Sequence, residues 1–292
     1  MAPPAEGDYY FPPGRSIARR IHEERAVGIL YGQRALLVGA LEPLTYTGTM
    51  LSTRSGDRPF LRLARTAKIH EAVLLGTCEE ADRALAEVRR VHRQVAGRLP
   101  HAVGRYRAGT GYSAFDPELM LWTLAVIADS ARVTYETLVR PLSGEEHERL
   151  WADYRLFGEL FGLSREAMPA SYEEFAEWLA ARLSSRQIYV TPHAFEVAPM
   201  IAFEHPVPLI MRPGLRLNNL VIRGTLPPHV REAFGLRWNG LDEITFKSFT
   251  AAHRCVHRLV PRRARKGRND FFFDLVASGE RRRGGTKTPA LS

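Results

Sequence analysis

Residues 60–97 read FLRLARTAKIHEAVLLGTCEEADRALAEVRRVHRQVAG, and the second half of that stretch sets the reading of the whole chain. Thr77 is a good N-cap and Glu80, three residues later, can reach back to complete a capping box, so a helix is expected over 78–96. Ala81, Ala84, Leu85, Val88, Val91 and Val95 recur at three- and four-residue steps, the pattern of a helix with one buried stripe. His92 lies in that stripe, one turn after Val88 and just ahead of Gly97, the expected stop. An imidazole so placed has two readings. It is either a core histidine bonded to a carbonyl or a metal ligand, including the lone ligand by which an apolar wall holds haem iron.

Working outward, Arg62, Arg65 and Thr66 stand at i, i+3 and i+4 and share one helical face. Such a face is either a solvated surface or a place where two cations and a hydroxyl meet one anionic or oxygen-bearing group. Upstream, residues 27–50 form a long apolar segment that Pro43 should kink or end. Downstream, residues 99–111 hold one proline and three glycines and read as a loop. Asp116, Pro117 and Glu118 then open a helix with an N-cap, a proline at N1 and an acid in the first turn, and LMLWTLAVI after them is apolar nearly all round. Ser16 can cap a short helix, Ser143 with Glu146 and Ser171 with Glu174 give two more capping boxes, and a final helix is expected over 242–259. His253 and His257 lie one turn apart within it, a spacing that suits a metal pair. No strand alternation, repeat, P-loop, GxGxxG or sustained heptad is present, which leaves an all-α protein.

An apolar content of 45% in 292 residues is enough for one large core. The expected layout is an N-terminal arm over 1–14, a single helical domain over 15–260 and a basic, flexible tail over 261–292. The net charge of +9 is concentrated from Arg254 onward, where eleven lysines and arginines face three carboxylates. That describes a basic tail suited to a weak acidic partner and not a basic, nucleic-acid-binding fold. Two distant cysteines, Cys78 and Cys255, give no disulfide framework. The first residues lack the apolar core of a secretion signal and no apolar run reaches eighteen residues, so a cytoplasmic protein is expected.

The order Arg62-x-x-x-Thr66, His92-x-x-Val95-x-Gly97, then Tyr112-Ser113-Ala114-x-Asp116-Pro117-Glu118-Leu119 with Leu121-Trp122 resembles the MpaB-like oxygenase family, which includes the latex-clearing (rubber oxygenase) proteins. The resemblance is good over 26–179 and weaker toward 259. It implies a globin-like multi-helix bundle around a haem b pocket, with extra helices, and O2-dependent cleavage of a carbon–carbon double bond in an apolar, prenyl- or polyketide-like small molecule. On that basis His92 is the expected iron ligand, Arg62 and Thr66 line the cofactor pocket, and Arg65 stands where the latex-clearing enzyme has a lysine that can close the distal site. An arginine stays protonated and does not ligate iron, so an open or water-bound site is expected. Glu42 and Tyr46, one turn apart where relatives bring a polar residue toward the distal face, are the candidate bases. Family members commonly carry a second histidine where this chain has Leu124. That departure brings in a related haem peroxygenase or hydroxylase as a second expectation, and a non-catalytic helical ligand-binding protein is the third.

Overall fold

The computed structural model describes residues 8–52, 58–185 and 188–282. In chain order these form α1 (Ile17–His22), α2 (Arg25–Gly39), α3 (Pro43–Leu51), α4 (Pro59–Leu75), α5 (Cys78–His92), a hairpin of β1 (Ala96–Arg98) and β2 (Gly111–Ser113), α6 (Pro117–Leu138), α7 (Gly144–Phe161), α8 (Tyr172–Ser184), α9 (Pro192–Phe203), α10 (Arg212–Thr225), α11 (Pro228–Ala233), α12 (Gly240–His257), α13 (Arg262–Arg265) and α14 (Asp270–Arg282). The expected all-helical class holds.

The centre is the pair α2 and α6, both apolar around most of their circumference and therefore buried between other helices. Asp116 caps α6 by accepting from the N–H groups of Glu118 and Leu119, and Trp122 Nε1 donates to Gly39 O across the pair. One charged contact crosses the same interface: Arg34 of α2 meets Asp129 of α6 at 2.8 Å and donates to Ser130 Oγ and to Thr225 O of α10. Burial alone would raise the Asp129 carboxyl, but Arg34 and Arg132 pull it below its ordinary range. α7 and α8 cover this core through Trp151 and Phe175, stacked with centroids 4.1 Å apart.

Several expectations change. The helix begun at Thr77 has its full capping box but ends at His92, four residues short of Ala96. The chain turns there, and residues 96–98 pair antiparallel with 111–113, so the loop expected over 99–111 is the connection of a hairpin. Strands of three residues are too short to show an alternating pattern. Ser143 and Glu146 make their full box, whereas the Glu174 carboxylate turns to Ala170 N and leaves Ser171 with half of one. The proposed metal pair is structural: His257 bonds Glu24 at 2.9 Å and His253 Nδ1 lies 2.9 Å from Leu138 O.

A further change concerns the tail. Residues 262–282 form α13 and α14, and α14 packs along α4. Residues 283–292 lie outside the described range. Arg58, the N-cap of α4, makes no side-chain cap bond, so the N–H groups of Phe60 and Leu61 would be orphaned under α14. Both donate to Glu280, fully buried, at 3.4 and 2.7 Å. Near the other end of α4, Glu71 accepts from Asn269 N at 2.9 Å. The segment is a clamp on α4.

Glu280→Ala is therefore expected to lower stability by about 1–3 kcal/mol in urea unfolding, because it orphans two buried donors. Removing 262–292 should prevent cooperative folding. Asp129 supplies a pH dependence as well. Its carboxyl is depressed in the folded state, so its contribution is complete above the ordinary aspartate range and is lost as pH falls through and below it, seen as steepening acid unfolding that Asp129→Asn removes.

Candidate functional site

α3, α4, α5, α6, α7 and the hairpin enclose a cavity of about 510 Å³. α4 contributes Arg62, Thr66 and His70 at i, i+4 and i+8, with Arg65 and Ile69 beside them. α5 and the turn after it contribute Val88, Val91, His92 and Val95, and α6 contributes Leu119, Leu124 and Ile127. The wall is thus largely apolar, with its charged groups and imidazoles gathered on two helices joined by a short turn at Gly76 and Thr77. Val91, expected in a buried stripe, is 43% exposed because it fronts the cavity.

His92 occupies the last helical position of α5. Its ring meets Phe115 edge to face at 6.0 Å, and burial pushes its pKa down, so the imidazole is neutral at physiological pH with a lone pair to offer. The core-histidine reading asked for a carbonyl partner. The structure gives none: Nδ1 is sealed from solvent and has no hydrogen-bond partner among the described residues. Arg65 and Thr66 are exposed at the cavity, and Arg65 makes no ion pair or hydrogen bond with a described residue.

The two candidate bases are elsewhere. Glu42 is the N-cap of α3, 1% exposed, where it accepts from Leu44 N, from Tyr106 Oη at 2.9 Å and from Arg182 at 2.6 Å. Tyr46 is buried with its hydroxyl 2.9 Å from His193 Nδ1, and burial raises its pKa strongly. Neither is on the cavity wall, because Pro43 starts a new helix whose cavity face carries Leu44, Thr45, Gly48 and Thr49 instead. The carboxylate found on the wall among the described residues is Glu87.

Two wall residues escaped the sequence reading. His70 sits on the stripe already marked by Arg62 and Thr66, one turn further on, so its spacing was legible. Tyr112 was noted only as part of a motif. Its ring is wedged between Gly48 and Gly97: a Cβ on Gly48 would stand 2.8 Å from the ring, and one on Gly97 2.7 Å from its hydroxyl. The glycines are there to admit the tyrosine. Leu124, where the resemblance implies a histidine, is also on the wall.

A mostly helical shell, closed on one side by the hairpin, surrounds a largely apolar chamber with one unpartnered imidazole on its wall. The chain belongs to the family described as ER-bound oxygenase mpaB/B'/Rubber oxygenase, catalytic domain, whose model matches residues 19–255. It is 28% identical over 210 residues to the uncharacterized proteins Rv2237 of Mycobacterium tuberculosis and Mb2261 of Mycobacterium bovis, covering 70% of this chain and 78% of each. Among solved structures it is similar to latex clearing protein LCP in the closed state, with a TM-score of 0.55 and 17% identity over 93% of this chain and 75% of that one. That likeness speaks for the fold. No described helix is long and apolar enough to cross a membrane.

Gly97→Ala or Gly48→Ala is expected to push Tyr112 aside, lower stability by about 1–3 kcal/mol and change the cavity's capacity for an apolar dye, as thermal unfolding and dye fluorescence would read. Gly144→Ala, where a Cβ meets nothing, is the control.

Proposed function

We infer that this chain is a haem b-dependent oxygenase that uses O2 to cleave a C=C bond in an apolar, prenyl- or polyketide-like small molecule. The observation carrying this reading is His92, a neutral imidazole on a valine-lined wall, with one nitrogen sealed and unpartnered, facing a largely apolar chamber. A porphyrin brings four nitrogen donors of its own, so a single protein imidazole suffices to hold it. His92 would hold the iron, Val88, Val91 and Leu124 would pack on the macrocycle, and Arg62 suits a propionate. When bound, the cofactor supplies the activation of dioxygen.

The protein's own groups position and shield. Arg65 presents fixed N–H donors to an oxygen-bearing group and, always protonated, does not compete for the iron. Thr66 adds a hydroxyl on the same face. Leu119, Leu124 and Ile127 keep water from the chamber.

Leu124 favours a second reading, a haem peroxygenase or hydroxylase, since the wall lacks the imidazole that relatives carry at that position. Product analysis separates the two: paired carbonyl fragments support cleavage, and a single hydroxylated product supports the alternative.

Purified protein given hemin is expected to develop a Soret band that His92→Ala loses, and turnover of a prenyl alkene should depend on O2. A wild-type chain that takes up no hemin would overturn the haem reading and leave a ligand-binding protein.

A further inference from the structure

The cavity has a second imidazole that the proposed chemistry does not use. His70 lies eight residues beyond Arg62 on α4, so the two are separated by ~12 Å along the helix axis. Phe157 and Phe161 of α7 meet its ring edge to face, with centroids 5.6 and 6.2 Å away. The ring is fixed from behind as well, because the Tyr31 hydroxyl of α2 lies 2.9 Å from Nδ1. Tyr31 is itself 4% exposed and packs on His22, whose Nε2 lies 2.8 Å from the Tyr154 hydroxyl.

Donor counting sets the tautomer. The buried Tyr31 O–H has His70 Nδ1 as its hydrogen-bond partner among the described residues, so the hydroxyl donates and Nδ1 accepts. The proton of the neutral ring then sits on Nε2. That atom has no protein partner among the described residues, and unlike Nδ1 of His92 it is not sealed: the residue lines the cavity. Burial also lowers the ring's pKa to about 4, so the donor is neutral across the physiological range and attracts an oxygen without demanding an anion.

We propose that His70, oriented by Tyr31, forms an oxygen-binding subsite at the inner end of the cavity, which selects elongated apolar molecules ending in a ketone, aldehyde or alcohol. The ligand's oxygen accepts from Nε2–H, and its hydrocarbon body lies along Ile69, Leu124 and Ile127 toward the arginines. This rests on the reading of the cavity as a substrate chamber but not on haem, so the two fail separately: absence of a Soret band removes the cofactor and leaves the binding comparison intact.

The test uses the full chain and an isosteric pair, 2-undecanone and 2-methyl-1-undecene, which differ by oxygen against methylene at one carbon. Each displaces Nile red from the cavity, and its Kd is compared between wild type and variants so that transfer from water cancels. His70→Phe is expected to weaken the ketone about tenfold and leave the alkene unchanged. His70→Gln, which retains an N–H donor, should recover much of the loss, and Tyr31→Phe should cost the ketone a few-fold by freeing the ring. Equal changes for ketone and alkene in His70→Phe and His70→Gln, or no change for either, overturn the proposal.

Discussion

α4 carries both arginines and one of the two imidazoles of the cavity wall, and its place depends on a carboxylate more than two hundred residues away in the chain. A helix start with arginine at the N-cap and proline at N1 supplies no side-chain acceptor for its next N–H groups. In water those groups would be hydrated, but α14 covers them. Glu280 answers the need, and the need answers it: a carboxylate with no solvent access is tolerable only with strong donors and a favourable field, here two backbone N–H groups and the positive end of the helix dipole. Glu71 and Asn269 repeat the arrangement three turns on. The cations just before Asn269 tie the same segment to the α1–α2 junction and to α5: Arg265 to Glu24 at 2.6 Å, Lys266 to Glu23 at 3.1 Å and Arg268 to Glu80 at 2.7 Å.

With α4 clamped on one side, the facing wall is set by where α5 stops. Continuing the helix past His92 would keep Val95 on the stripe and carry Gly97 around the axis. Instead the chain turns, Ala114 N donates to Val95 O, and the hairpin places Tyr112 against two glycines. Val91, His92 and Val95 then front open space instead of a neighbouring helix. The chamber exists because a stripe that would ordinarily be packed shut is held away from α6 by a hairpin, while α2 and α6 behind it are fastened by the buried Arg34–Asp129 pair.

The sequence disclosed what local chemistry decides. Thr77, Asp116, Pro117 and Ser143 announced their helix starts, and the stripe containing His92 announced its face. Arg62, Arg65 and Thr66 were placed together by spacing alone, and all three reach the cavity. What stayed hidden is what distance in the chain conceals. Nothing near Pro59 points to Glu280, and nothing in a run of arginines tells a solvated tail from one in which Arg265, Lys266 and Arg268 find carboxylates. Glu42 and Tyr46 failed for a related reason. Their spacing was right, but Arg182 and His193 claim them from segments that only the fold brings near.

The two cavity histidines show how one physical cause yields different groups. Burial keeps both rings neutral. At His92 no partner holds the far nitrogen, so nothing behind the ring adds to its basicity, and what it offers is a lone pair. At His70 a tyrosine occupies the far nitrogen, so the ring offers a proton. Between them stand Ile69, Leu124 and Ile127, and at the arginine end stand charges that never titrate. A nonpolar hydrocarbon could lie in such a chamber in either direction. A molecule with one oxygen could not do so equally, because reversing it would leave the His70 N–H without an acceptor, at a cost comparable to a buried unmade hydrogen bond. On the proposed reading of the cavity as a substrate chamber, the polarity of the walls would therefore set which end of a chain lies deepest.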